Sequence, residues 1–490
     1  MMGKVVINFS FVWCKIISAP SAVYNLLYDT LKYRPEGYYF SPKYQNGIWD
    51  GYCRLYKHAS KKFRTGLLPR VVDILKSNNY EIEILNFPNH AISEISKVDF
   101  KDANDNVVTL RHYQQEATLT AIRKRFGIIQ APPRSGKTLI AVSIIYHFNQ
   151  FPVVFLVRSR DLAYQTLRVF EKNFKDKQIG FICDGECKIG DINVVTVQSA
   201  YSAYNKKYKE KGLYEEKEVV DKEGVRNLLI KTKTLFLDEV HHLQSSTTGF
   251  IYDRCINTVM KIGLSATPFS DKPDSILVEE RTGPVIYKIT YSSLIEEGYL
   301  MTPYIYMYKL PSIKVDGNYR AVYTKAVIQN PFLTHLVRNL AKQLNALGKS
   351  VVVQTEFIQH TKDLAKFLEC EYLVGSDSTE KRQDVLKRLQ NKEILLLVST
   401  LFEEGLDVPS LDYTINMVGG LSNIATFQRM RSITKHESKT TVGIIDFIHQ
   451  CKYLSQHSQK RLSLYKSEPA FVVEIRDVSN LTLEDIENED

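Results

Sequence analysis

Long apolar runs are missing from this chain: no stretch approaches the ~18 residues needed to cross a bilayer, which excludes a transmembrane helix. Cysteine is sparse. Seven are scattered through the chain, and only Cys183 and Cys187 lie close together, without the second pair of ligands that a zinc site requires. A disulfide scaffold and a structural zinc site are therefore excluded, and free thiols are expected. Repeats at solenoid periods and low-complexity segments are also absent. Charge of one sign is not strongly in excess. The net charge of +9 is modest for 490 residues, so composition permits a nucleic-acid partner without requiring one. Near the start, Ala19-Pro20-Ser21-Ala22 imitates a leader cleavage site. Asn8, Ser10 and Lys15 interrupt the apolar residues before it, and Val5 to Phe11 reads as a strand, so a cytoplasmic protein is expected.

What is present is alternation. With 44% hydrophobic residues, the chain is long enough for two or three cores. From about residue 105 to 280, short β-rich runs (Val153 to Val157, Val194 to Val197, Thr234 to Leu237, Lys261 to Leu264) alternate with helical patterns such as Ala163 to Phe170. A second series follows at Val351 to Val353, Tyr372 to Val374, Ile394 to Val398, Tyr413 to Met417 and Thr441 to Phe447. Such alternation predicts two α/β domains with parallel sheets in tandem. Residues 201–230, rich in Lys, Glu and Tyr, read as a solvated insertion, and the acidic tail from Leu481 to Asp490 as disordered.

Two motifs carry chemistry. Ala131-Pro132-Pro133-Arg134-Ser135-Gly136-Lys137-Thr138 follows the apolar run Gly127 to Gln130 and opens a helical pattern, the context of a phosphate-binding loop. Backbone N–H groups there suit phosphates, Lys137 reaches the outer phosphates, and the Thr138 hydroxyl suits Mg²⁺. Ala131 stands where the first glycine is usual. About a hundred residues on, Asp238 and Glu239 end another buried run and precede His241-His242. Asp238 is the expected second Mg²⁺ residue, and Glu239 the residue that polarises an attacking water. ATP and Mg²⁺ are thus the expected substrate and cofactor.

The ordered set of motifs resembles the superfamily 2 helicases and translocases over roughly residues 105–460. Its members are Leu110-Arg111-His112-Tyr113-Gln114, the phosphate loop, Thr196-Val197-Gln198-Ser199, Asp238-Glu239, Gly263 to Pro268, Ser399-Thr400, Glu404 to Pro409, and the segment from Gln428. The resemblance implies that Gln114, supported by Arg111 and Tyr113, reads adenine. It implies that His241, Ser265 and Thr267 couple the nucleotide to the second domain, which approaches through Gly405 and Asp407. Arg158, Gln198 and Thr400 then hold a nucleic-acid backbone. One departure stands out: Ser432 and Lys435 occupy the family's two usual arginine positions. An arginine finger stabilises charge on the transferring phosphoryl group. Arg431, one residue displaced and beside Gln428, is the candidate substitute, with Arg429 second.

The N-terminal pattern Gly37 to Tyr44, Asn46-Gly47-Ile48-Trp49-Asp50-Gly51, Arg54 to Tyr56 and Gly66 to Pro69 resembles phage helicases of the UvsW type. That resemblance implies a partner in branched DNA and, for a phage-encoded chain, the host cytoplasm. From the residues themselves, Arg54, Lys57, Lys61, Lys62, Arg64 and Arg70 lie between Gly51 and Val72 with no carboxylate among them, a favourable composition for phosphate contact. Lys43 and Trp49 join Arg54, Lys61 and Lys62 as expected DNA contacts. Tyr38, Tyr39 and Tyr44 suit either base stacking or a small core.

The fold expected is therefore α/β: two tandem RecA-like parallel-sheet motor domains preceded by a small α+β N-terminal domain. The expected boundaries are 1–95 for the N-terminal DNA-binding domain, 105–280 and 281–465 for the motors, and 466–490 for an extension. The expected activity is that of an ATP-dependent DNA helicase acting on forks and Holliday junctions. Two other readings stay open: a DNA-structure-binding protein with weak ATPase activity, and an RNA helicase.

Overall fold

The computed structural model describes residues 3–88, 94–102, 105–204, 220–269, 273–401, 408–420, 439 and 441–487. The chain divides into two compact units, Met1–Ala131 with Ser135–Ile289, and Thr290–Asp490 with Pro132–Arg134.

In the first unit a four-stranded sheet comes first, ordered Lys62–Arg64, Trp13–Ser18, Lys4–Asn8, Glu81–Leu85. Helices Ser21–Thr30 and Leu68–Ser77 accompany it, the expected α+β arrangement. An eight-stranded sheet follows, ordered Glu186–Lys188, Ile179–Cys183, Ile192–Thr196, Val153–Val157, Thr234–Asp238, Met260–Ser265, Phe126–Gln130, Val285–Lys288. Every pairing in it is parallel except that of the terminal Glu186–Lys188 strand. Its central strands are buried along their length because Val, Ile, Leu and Phe run through them without alternation.

The N-terminal sheet shares a core with this larger sheet. Phe126 packs among Val5, Ile7 and Phe9, and Ile276 and Leu277 pack against the same cluster. Arg64 Nη2 pairs with Asp253 Oδ2 at 2.7 Å, and Arg70 Nε donates to Glu279 Oε1 at 3.0 Å. Gly66 lies so close to the motor that a Cβ there would stand 2.0 Å from the Glu279 carbonyl oxygen. The six cations expected to form one DNA-facing patch are thus divided. Arg64 and Arg70 bond to motor residues, Arg54 donates to Asp50 at 3.1 Å, and Lys57, Lys61 and Lys62 are exposed.

The second unit holds a seven-stranded, wholly parallel sheet ordered Glu371–Leu373, Leu396–Ser399, Val351–Gln354, Tyr413–Asn416, Val442–Gln450, Pro303–Ser312, Val472–Asp477. A buried ion pair, Arg461 Nε to Asp446 Oδ2 at 2.7 Å, ties the helix Leu454–Lys466 to the sheet.

Two expectations are corrected. The acidic tail is ordered through Glu487: helix Leu483–Glu487 buries Ile486 in the core, and Asn339 Nδ2 donates to the Ile486 carbonyl at 2.6 Å. One isoleucine directed inward outweighs the surrounding charge. Within the supposed insertion, Lys222–Lys231 is an amphipathic helix that buries Val225, Leu228 and Leu229 against the eight-stranded sheet and leaves its charged face solvated, so one face of this part belongs to the core; residues 205–219 lie outside the described set.

Candidate nucleotide site and nucleic-acid interface

Three neighbouring parallel strands, Thr234–Asp238, Met260–Ser265 and Phe126–Gln130, end at the same level, with Asp238 opposite Leu264 and Ser265 opposite Gln130. This register brings residues far apart in sequence into one corner. The phosphate loop leaves the strand at Gln130, and helix Lys137–Phe148 begins immediately after it. Gly136 lies at φ 80°, and a Cβ on it would stand 2.3 Å from Gln114 Nε2, so the position requires glycine both for backbone freedom and for space. The first N–H groups of the helix lack acceptors within it and lie at its positive end, which makes an anion cradle.

Gln114 braces this loop from behind. Its Oε1 accepts the Arg111 N–H at 2.9 Å, and its Nε2 donates to the Ser135 carbonyl at 2.9 Å. Tyr113 donates its hydroxyl to the same carbonyl at 2.9 Å and accepts from Arg111 Nη1 at 2.9 Å. One end of the Gln114 amide thus caps its own helix and the other holds the loop. Ser135 and Pro132 are buried, whereas Pro133, Arg134 and Thr138 are half-buried.

Glu239 follows its strand in a left-handed conformation, φ 50°, and donates its N–H to Asp238 Oδ1 at 3.0 Å. Lys137 Nζ lies 3.8 Å from Glu239 Oε1 and donates to the Ala131 carbonyl at 3.5 Å. On the other side of the carboxylate, Ser265 Oγ donates to Glu239 Oε2 at 3.1 Å and accepts the Thr267 N–H at 3.2 Å. His241 Nδ1 stands 3.1 Å from Ser265 Oγ and 3.4 Å from Glu239 Oε2. Burial pushes the His241 pKa down to about 4 against the attraction of Glu239, with Arg158 and Lys137 pushing the same way as burial. The imidazole is therefore neutral at neutral pH. Lys137, Glu239, His241, Ser265 and Thr267, singled out separately in sequence, form one connected group.

Arg158, expected on a nucleic-acid backbone, donates through Nη1 to His242 Nδ1 at 2.7 Å. Burial, then the His241 and Arg158 charges, lower the His242 pKa to about 2, so a neutral ring accepts from the guanidinium. His242 is the residue that sequence reasoning passed over; its only signal was adjacency to His241. Gln130, which donates through Nε2 to the Ala266 carbonyl at 3.1 Å and so links two strand ends, also went unnoticed. Among the expected DNA contacts, Lys43, Lys61 and Lys62 are exposed, and Trp49, Arg54, Gln198 and Thr400 are half-buried. Gly405, Asp407, Gln428, Arg429, Arg431, Ser432 and Lys435 lie outside the described residues. No helix among the described residues is long and apolar enough to cross a membrane, and none of their His, Cys, Asp and Glu side chains form a metal-binding group of three or more. Thr138 and Asp238 nevertheless suit Mg²⁺, which binds through few protein oxygens beside substrate phosphates.

Three family descriptions match successive segments. Residues 5–85 match "DNA helicase UvsW, N-terminal", residues 107–270 match "Type III restriction enzyme, res subunit", and residues 333–431 match "Helicase conserved C-terminal domain". The ATP-dependent DNA helicase uvsW of Enterobacteria phage T4 is 21% identical over 505 aligned residues, taking in 92% of this chain and 95% of that one. Putative helicase 22 of Sulfolobus islandicus filamentous virus is 23% identical over 420 residues, 79% of this chain and 72% of the relative. Among solved structures, the ATP-dependent Type ISP restriction-modification enzyme LlaBIII bound to DNA aligns with TM-score 0.55 and 16% identity over 86% of this chain and 35% of that longer one, a likeness of fold.

Proposed function

The chain belongs to superfamily 2, the ATP-dependent helicases, and resembles the UvsW type; from that premise we propose that it remodels branched DNA, regressing forks and migrating four-way junctions. The setting proposed is phage replication, recombination or repair in the host cytoplasm. The observation that carries this reading is the N-terminal segment at 5–85, which shares a core with the ATP-binding sheet. A junction-binding element built that way moves as one body with the sheet that holds ATP. The division proposed is an N-terminal domain at 1–95, motors at 105–280 and 281–465, and an extension at 466–490.

In this reading the loop and helix N-terminus receive the ATP phosphates, and Lys137 offsets their charge. Thr138 and Asp238 hold Mg²⁺, which polarises phosphoryl oxygens. Glu239 orients the attacking water, and Ser265, donating to its Oε2, fixes the orientation of the carboxylate for that task. Gln114 braces the loop and reads adenine. Gly405 and Asp407 complete the nucleotide site, with Gln428 and Arg431 supplying the finger. Lys43, Trp49, Arg54, Lys61, Lys62, Arg158, Gln198 and Thr400 contact DNA.

The test is ATP hydrolysis measured at one fixed salt concentration with a four-way junction, a linear duplex and no DNA. Junction DNA is expected to stimulate most, and strand exchange should accompany turnover. Ser432 and Lys435 favour a second reading, a structure-binding protein with weak turnover. Hydrolysis that stays near basal on every DNA supports it, and RNA stimulating more than DNA supports an RNA helicase. Arg431→Ala is expected to depress turnover far more than Lys435→Ala; equal small effects remove the displaced finger.

A further inference from the structure

A short finger projects from the N-terminal domain between the paired strands Lys32–Tyr33 and Cys53–Arg54. Its interior is aromatic. Tyr38 and Tyr44 meet edge to face at 4.9 Å, Trp49 Nε1 donates to the Tyr52 carbonyl at 2.8 Å, and the Arg34 guanidinium lies 4.3 Å from the Tyr52 ring centre. Gly51, at φ 80°, closes this interior, since a Cβ there would stand 2.8 Å from Tyr38. Tyr38 and Tyr44, expected to face either bases or a core, and Trp49, expected on DNA, are thus half-buried and pack within the finger itself. The outward residues are different ones. Tyr39, Phe40 and Ile48 are 53%, 72% and 74% exposed, and the Tyr39 and Phe40 rings lie 4.4 Å apart.

An unpartnered apolar tip on a braced support is costly in water. Its chemical setting selects the partner: within the finger Arg34 and Lys43 are exposed, the two carboxylates are Glu36 and Asp50, Arg54 bonds Asp50 at 3.1 Å, and Lys57, Lys61 and Lys62 are exposed elsewhere on the same domain. Apolar and aromatic side chains set among cations fit a polyanion with flat apolar faces, namely nucleic-acid bases opened at a branch. We propose that Tyr39, Phe40 and Ile48 form a wedge that enters the branch point and packs against the terminal base pair, while Lys43 and its basic neighbours hold the flanking phosphates. The inference rests on the branched-DNA reading and adds the residues that part the strands.

The experiment places 2-aminopurine at the branch of a synthetic four-way junction and, separately, inside a linear duplex. Full-length protein without ATP is expected to raise fluorescence at the branch and not in the duplex. The double variant Phe40→Ser with Ile48→Ser should lose most of that rise and remodel junctions about tenfold more slowly, the scale of one lost base–aromatic contact. Phe40→Trp should retain both, because it keeps a stacking face. A double variant that opens the branch as wild type does overturns the wedge while leaving junction remodelling intact. So does a double variant that loses only binding to vesicles containing anionic lipid, since the tip then serves a membrane surface. Wild-type protein that does not remodel junctions defeats the functional reading and the wedge with it.

Discussion

The two large parallel sheets end alike in topology and differently in chemistry. At the carboxyl edge of the first, Lys137, Glu239, His241, Ser265 and Thr267 form one hydrogen-bonded and ion-paired group inside a single compact unit. At the corresponding edge of the second, Gln354 ends its strand with neither amide atom hydrogen-bonded among the described residues, and both ring nitrogens of the nearby buried His360 also lack a hydrogen-bond partner among them. A buried unsatisfied group costs roughly 1–3 kcal/mol. The polar side chains named at the first edge bond to one another, whereas those named at the second lower its stability. Repetition of a fold therefore repeats the scaffold, and the side chains at the strand ends decide whether that scaffold holds chemistry.

The largest expected effect breaks the first edge. Lys137→Ala and Glu239→Gln should each reduce DNA-stimulated ATP hydrolysis by on the order of a thousandfold, through lost phosphate charge compensation and lost water orientation respectively. A nucleotide-binding titration should show that Glu239→Gln still takes ATP. Near-wild-type turnover in either variant removes this corner from the nucleotide site. Ser265→Ala sharpens the same side of the contrast. It removes the donor that holds Glu239 Oε2, so kcat should fall by about ten- to a hundredfold with little change in the KM for ATP, as expected of a group that positions a general base. An unchanged kcat would reduce Ser265 to a structural link.

Acid tests both edges together. Burial lowers His241 to about 4 and His360 to about 4, from an ordinary value of 6.5. The unfolded chain then binds more protons than the folded one between those values. Stability from these histidines is therefore full above about pH 6.5 and is lost as pH falls toward 4, at up to about 1.4 kcal/mol per pH unit for each. Urea unfolding at pH 7, 6 and 5 measures the slope, and His360→Leu should remove one histidine's share of it. A slope unchanged by that substitution shows that His360 does not titrate on unfolding. The smallest effect expected is from Gln354→Met, which replaces two unsatisfied atoms with apolar volume and should raise stability by about 1 kcal/mol. A loss of similar size would mean that Gln354 is satisfied in solution and that the contrast between the edges is smaller than drawn.

Much of the first edge was legible without coordinates because its signals are local. A strand, a glycine, a lysine and a helix start occur within residues 126–148, and Asp238-Glu239 closes the run Leu235 to Leu237 of three apolar residues. The strand Pro303–Ser312 was less legible, since Pro311 sits where its pairing with Val442–Gln450 shifts register. Val472–Asp477 was also missed, being an edge strand that is mostly exposed and charged. The basic stretch after Gly51 was read correctly as cationic, yet composition could not say that Arg64 and Arg70 would pair with Asp253 and Glu279.

By itself, then, the sequence determined the elements and the chemical identity of the nucleotide loop, because hydrophobic period and backbone requirement act over a few residues. Only the tertiary structure decided that Ser265 and His241 hold Glu239, that Gln114 ties the loop to its own helix start, and that Tyr38, Tyr44 and Trp49 are half-buried while Phe40 and Ile48 face water. Those outcomes depend on strand register and on which surfaces are covered, and both arise from pairing and packing between segments that no local pattern connects.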